Sequence, residues 1–126
     1  MALMSKAAIV TGAAQGIGKA IAARLVKDGM RVAIVDINQE AAVAAAEELA
    51  GQYGAETMAV QCDVSQEEQV NTAVQKVLER FGTVDVLVNN AGILSLKKPF
   101  VEYTKADWDK IFGINFMGDV FFCKAV

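Results

Sequence analysis

Three glycines in the segment Thr11-Gly12-Ala13-Ala14-Gln15-Gly16-Ile17-Gly18 stand in the spacing GxxxGxG. The β-branched run Ala7-Ala8-Ile9-Val10 precedes them, and Ile17, Ile21 and Leu25 follow at helical spacing. A strand that turns sharply into a helix exposes bare backbone there. Free N–H groups then collect at the positive end of a helix dipole, which is the chemistry for holding a pyrophosphate. An ordinary tight turn would need fewer glycines and no companion residues. The segment is not a P-loop. Lys19 follows Gly18, but Ala20 stands where Mg²⁺ needs Ser or Thr, and Ala13 stands where the first Gly belongs.

Asp36 is the second chemically suggestive residue. It follows the apolar run Val32-Ala33-Ile34-Val35, eighteen residues after Gly18. A carboxylate in that place can accept hydrogen bonds from both hydroxyls of an adenosine ribose and repel a 2′-phosphate. Its plainer alternative is a solvated Asp that helps to cap the next helix, a role Asn38 already offers.

These residues need elements to position them. Two further runs, Thr57-Met58-Ala59-Val60 and Val84-Asp85-Val86-Leu87-Val88, read as strands, the third of the four being the weakest. Asn38 caps an Ala-rich helix running to about Gly51. Ser65 and Glu68 form a capping box ahead of an apolar face of Val70, Ala73, Val74, Val77, Leu78 and Phe81, and that helix stops at Gly82. The order β-α-β-α-β-α-β implies right-handed crossovers and a parallel α/β sheet. A loop follows over residues 90–99. Thr104 and Asp107 can cap a further helix, and residues 108–126 are helical in pattern and rich in Phe. Residues 1–126 read as one domain, with no linker or low-complexity tract.

Composition narrows the class. Hydrophobic residues make up 54% of the chain, yet no stretch is long and apolar enough to span a bilayer. Formal net charge is -3 with mixed signs, against the basic patch of a nucleic-acid binder. The first six residues lack the h-region of a signal peptide. Cys62 and Cys123 stand far apart without CxxC spacing and read as reduced thiols of a cytoplasmic protein. The sequence has no His, so a His-based triad is excluded and no metal site is expected.

Three motifs together carry a resemblance. TGxxxGxG, then Asn89-Asn90-Ala91-Gly92 after the fourth run, then Ile114-Asn115-Phe116-Met117-Gly118 resemble the short-chain dehydrogenase/reductase family over essentially the whole chain. The resemblance implies a Rossmann-type doubly wound parallel sheet of strand order 3-2-1-4, truncated before the later strands. It implies NAD as cofactor, held by Gly12, Gln15, Gly16, Ile17 and Gly18 at the pyrophosphate and by Asp36 and Ile37 at the ribose. NADP-preferring members of that family place a base just after the acid or within the glycine turn, where this chain has Ile37, Ala14 and Gln15. By the same likeness Asp63 and Val64 would hold the adenine. Asn90, Ala91 and Gly92 would pass close to the second ribose and nicotinamide, while Asn89 would brace neighbouring strands. On the residues alone, Asp63 could be a loop Asp before the Ser65 cap, and Asn-Asn-Ala-Gly a strand-ending turn.

The family's reaction needs a Tyr activated by a Lys four residues later, with a Ser and an Asn. Asn115 matches the Asn. Tyr53 is followed at that spacing by Thr57, and Tyr103 by Asp107. The expectation is therefore the cofactor-binding part of an NAD-dependent oxidoreductase acting on a secondary alcohol or ketone, such as a sugar, polyol, diol or 3-oxoacyl compound. The Ser, Tyr and Lys would lie beyond Val126, and the chain alone would be inactive. Without the Lys, Asn115 reads as structural, a helix-interior Asn that bonds locally and kinks its helix. Two alternatives stay open: a dinucleotide-binding module without turnover, and an assembly piece that completes its sheet with another chain. The fourth run would be an exposed apolar edge, which favours a homo-oligomer. Phe112, Phe116, Phe121 and Phe122 read equally as core or contact. The expected partner is a small-molecule substrate, with no nucleic acid and no membrane.

Overall fold

The computed structural model of the chain describes residues 6–94 and 96–126. Residues 1–5, on which the signal-peptide reading bears, and Ser95 in the expected loop lie outside the described residues. Four parallel strands, β1 (Ala7–Thr11), β2 (Arg31–Asp36), β3 (Thr57–Gln61) and β4 (Val86–Val88), form one sheet of order β3-β2-β1-β4. Ile9 sits opposite Ala33 on one side and Leu87 on the other. Every residue of β1 is buried, which is why its run is continuously apolar.

Helices α1 (Gly16–Lys27) and α2 (Gln39–Tyr53) cover one face, with Ala22, Val26, Ala42, Ala45 and Leu49 packed against Val10, Val32 and Ile34. Helix α3 (Glu67–Phe81) and the C-terminal helix α5 (Gly118–Ala125) cover the other, where Val70, Val74, Val77, Phe81 and Phe122 meet Ile9, Ala33 and Val35. The alternation of β1 and β2 side chains sends neighbouring residues to opposite cores. Helix α4 (Lys105–Phe112), a π-helical segment Gly113–Met117 and α5 make one continuous helical run.

Asn38 caps α2 by accepting from the Ala41 N–H at 3.0 Å, and the helix continues past Gly51 to Tyr53. Thr104 and Asp107 form the capping box of α4. The expected Ser65–Glu68 box does not form. Helix α3 starts at Glu67 with Gln66 at its N-cap, and the Ser65 hydroxyl donates to Asp63 Oδ1 at 2.7 Å. That bond draws the Ser65 side chain toward Asp63, and the helix begins one residue later than a Ser65 cap would set it. Strand β4 is shorter than its five-residue run because the Asp85 carboxylate accepts the Ala7 N–H at 2.9 Å and ends the ladder.

Strand β4 is half-buried and pairs with β1 alone among the described residues. The Phe residues divide. Phe122 is core and Phe121 packs beside it, whereas Phe112 and Phe116 are exposed. No described helix is long and apolar enough to cross a membrane.

Candidate cofactor site

The site is built where β1 ends and α1 begins, at the point where chain order on the sheet reverses. Gly12 has φ 62°, and a Cβ on it would lie 2.9 Å from Ala91 Cα. A Cβ on Gly18 would collide with the Gly12 carbonyl oxygen and with Asn90 Nδ2. The turn and the end of β4 are therefore in backbone contact, and side chains are excluded between them.

Two side chains hold that contact. Asn90 Nδ2 donates to the carbonyls of Thr11 and Gly12, both at 3.1 Å. The buried Thr11 hydroxyl accepts from the N–H groups of Asn90 and Ala91, each at 3.0 Å. The bracing expected of Asn89 thus falls to Asn90. Asn89 points to the opposite face and donates to Cys123 Sγ on α5 at 3.5 Å, since consecutive residues at a strand end alternate. Thr11 is quoted in the motif but carries no role in the sequence reading. A hydroxyl on the last residue of a buried strand is the signal that could have marked it.

Asp36 closes the other side of the turn. Its Oδ2 accepts from the Ala14 N–H at 3.1 Å and its Oδ1 from the Asn38 N–H at 3.0 Å. A carboxylate has about four lone-pair sites. Two backbone bonds fix its orientation and leave capacity for ribose hydroxyls. Asp63 Oδ1 is engaged by the N–H and hydroxyl of Ser65, and the Asp63 N–H donates to Gln69 Oε1 at 2.9 Å.

Between these walls lies a cleft of about 540 Å³. Gly12, Gln15, Gly16, Asp36, Ile37, Asp63, Val64, Asn90, Ala91 and Gly92 all line it, as do Cys62, Ile93, Lys110 and Ile114, to which the sequence reading gives no part in cofactor binding. Ile17 and Gly18 do not line it. Ile17 is 75% exposed, and Gly18 is buried behind Gly12. Burial, with the nearby Asp63 charge, pushes the Cys62 thiol up to about 11.

Asn115 is in the π-helical segment and does not itself line the cleft, but it contacts Gly92 and Ile93, which do. Its Oδ1 accepts the Ile93 N–H at 2.8 Å and its Nδ2 donates to the Ile93 carbonyl at 2.9 Å. The expected local bonding is thus replaced by a latch to a loop twenty-two residues away. The fold brings that loop beside the π-helical turn. Asn115 and Ile93 also border a second cavity of about 410 Å³ with Tyr103 and Trp108.

A family model described as short chain dehydrogenase matches residues 6–126. The chain is 43% identical to a sorbitol dehydrogenase of Cereibacter sphaeroides over 126 residues, covering 100% of this chain and 47% of the relative. Its fold superposes on an NAD+-bound xylitol dehydrogenase with TM-score 0.92 and 36% identity, covering 100% of this chain and 48% of the other. It superposes on an L-sorbose reductase of Gluconobacter frateurii complexed with NADPH and L-sorbose with TM-score 0.90 and 31% identity, covering 95% and 45%. The chain therefore spans about half the length of the relatives it matches.

Proposed function

Since this chain belongs to the short-chain dehydrogenase family, we propose that it provides the NAD-binding part of an oxidoreductase that interconverts a secondary alcohol and a ketone, with a polyol or sugar as substrate. One observation carries the cofactor choice. Asp36 lines the cleft with its carboxylate fixed by two backbone N–H groups, and the neighbouring positions Ile37, Ala14 and Gln15 supply no base. Ribose hydroxyls can bond to that carboxylate, whereas a 2′-phosphate meets a like charge. Family membership alone leaves the choice open, because the similar structures hold NAD+ in one case and NADPH in another.

The residues fit the group. Glycine backbone at Gly12 and Gly16 admits a pyrophosphate, Asp63 and Val64 border space for the adenine, and Ala91 and Gly92 leave room beyond. When bound, the nicotinamide accepts or donates the hydride. This chain's residues bind and orient it. The proton at the reacting oxygen needs an acid/base. Neither Tyr53 nor Tyr103 has a Lys four residues on, and Tyr103 Oη is bonded to the Leu96 carbonyl at 2.8 Å. That step falls to residues in the half of the relatives' length that this chain does not span. The polyol reading is supported by the names of the sorbitol and xylitol dehydrogenases it resembles.

Titration calorimetry with NAD+ and NADP+ tests the reading. Lost ribose bonds and charge repulsion should disfavour NADP+ by about 1.5–3 kcal/mol, the range for hydrogen bonds to charged groups. Equal or tighter NADP+ binding overturns it. The side of β4 that pairs with no strand among the described residues, and the exposed Phe112 and Phe116, favour self-association, which light scattering at micromolar concentration would register.

A further inference from the structure

We infer that Lys110 is a cofactor-binding residue of the cleft, engaging the phosphates of the dinucleotide. The inference rests on the reading of the cleft as a dinucleotide site.

The charge balance of the cleft is its first support. Asp36 and Asp63 line the cleft, and Lys110 is the one Lys or Arg among its lining residues. A pyrophosphate brings further negative charge. The turn at Gly12 and Gly16 offers N–H donors but no cationic side chain, so its field is confined to helix-terminus partial charges. A mobile ammonium supplies the missing full charge without a fixed geometry.

The second support is that Lys110 is uncommitted. The acids near it on α4 are both taken. Asp107 is held by Lys98 at 2.6 Å, and Asp109 by Lys105 at 2.8 Å. Among the described residues no ion pair holds Lys110 itself. Both partners of Asp107 fix its side of the helix, because the same carboxylate also bonds the Thr104 N–H at 2.9 Å. The helix start is therefore anchored while Lys110 stays free to meet a ligand.

Position is the third. Lys110 lies four residues before Ile114, so the two share one side of the helical run, and both line the cleft. Gly12, Gln15 and Gly16 line the same cleft. A lysine stem is long enough to lie along the wall while its head reaches a phosphate in the solvated mouth.

Binding of adenosine, ADP and NAD+ to the chain and to Lys110→Met and Lys110→Arg, measured by calorimetry at low and high KCl, tests the inference. Lys110→Met should weaken ADP and NAD+ about three- to tenfold at low salt, between the worth of an exposed ion pair and that of a charged hydrogen bond. Adenosine binding should not change. The difference should shrink at high salt, since a solvated charge pair is screened. Lys110→Arg should bind close to the parent chain, and all three proteins should melt alike. Unchanged ADP binding in Lys110→Met, or equal losses for adenosine and ADP, overturns the phosphate role while leaving the cleft reading in place. A folded parent chain that binds neither ADP nor NAD+ overturns the cleft reading and the lysine's role with it.

Discussion

The side-chain amide of Asn115 holds both backbone polar groups of Ile93, accepting from its N–H at 2.8 Å and donating to its carbonyl at 2.9 Å. This two-point clasp sets the course of the chain as it leaves Gly92, where an added Cβ would meet Asn115 Oδ1 at 3.2 Å. Asn115→Ala should lose both bonds. A typical hydrogen bond contributes about 0.5–1.5 kcal/mol net, so a cost of about 1–2 kcal/mol is expected for this solvent-accessible pair. NAD+ affinity should fall as well, because Ile93 lines the cleft. Denaturant unfolding and calorimetry measure the two effects. An unchanged midpoint and affinity would show the clasp to be idle.

Asp36 has two functions that one substitution confounds. Asp36→Ala removes the acceptor for the Ala14 and Asn38 N–H groups as well as the ribose contact. Stability should drop by about 1–2 kcal/mol, and the preference for NAD+ over NADP+ should narrow at least tenfold, the change equivalent to about 1.4 kcal/mol. Asp36→Asn keeps one acceptor oxygen without the charge. It should be more stable than the Ala variant and still lose most of the discrimination against NADP+.

Gly18→Ala places a methyl against the Gly12 carbonyl oxygen and Asn90 Nδ2. Neither can move without parting the glycine turn from β4. A cost of about 1–3 kcal/mol is expected, as for other insertions into packed contacts, together with weaker cofactor binding. Gly51→Ala is the counterpart. Gly51 lies inside α2 with open space around its Cβ position, so the change should stabilise by about 0.5–1 kcal/mol. Thermal melts that rank the two variants the other way would contradict this account of the turn.

The two thiols should react very differently. Cys123 is exposed, and Cys62 is buried with its thiol pushed from 9.0 to about 11. That shift lowers the thiolate fraction of Cys62 about a hundredfold at pH 8, since the thiolate is the nucleophile. Iodoacetamide at pH 8 should label Cys123 in the folded chain and reach Cys62 only on unfolding. Raising the pH toward 11 should increase Cys62 labelling, because its thiolate accumulates only there. Equal rates by peptide mass spectrometry would contradict the burial.

Hydride transfer should not proceed at an enzyme-like rate on the 126-residue chain. Positioned acid/base catalysis is worth about 10²–10⁴-fold, and neither Tyr here has its Lys. NADH formation with sorbitol or xylitol, followed after repurification from host dehydrogenases, is the assay. Robust turnover that disappears in Asn115→Ala would show that the catalytic machinery lies within this chain.

Much of the fold and site was legible in local patterns. The buried strands β1 and β2 are continuous apolar runs, and Asn38 and the Thr104–Asp107 pair cap helices as their types demand. Gly12 and Asp36 stand out because few other residue types would serve where they sit. The Ser65 cap did not form: its side chain is turned to donate to Asp63, and the helix starts one residue later. Asn89 and Asn90 are identical letters, and only the facing of the strand end assigns the brace to the second.

The sequence by itself determined the alternation of strands and helices, the place of the glycine turn and the acid that follows β2. Those features depend on periodicity and on residue types within a few positions. Tertiary structure alone decided that Thr11 ties β1 to the Asn90–Ala91 backbone, that Asn115 clasps Ile93, and that Lys110 lines the same cleft as the glycine turn. Each of those contacts joins segments far apart in the chain. Their partners are chosen by the sheet order and by a π-helical irregularity, which no local spacing encodes.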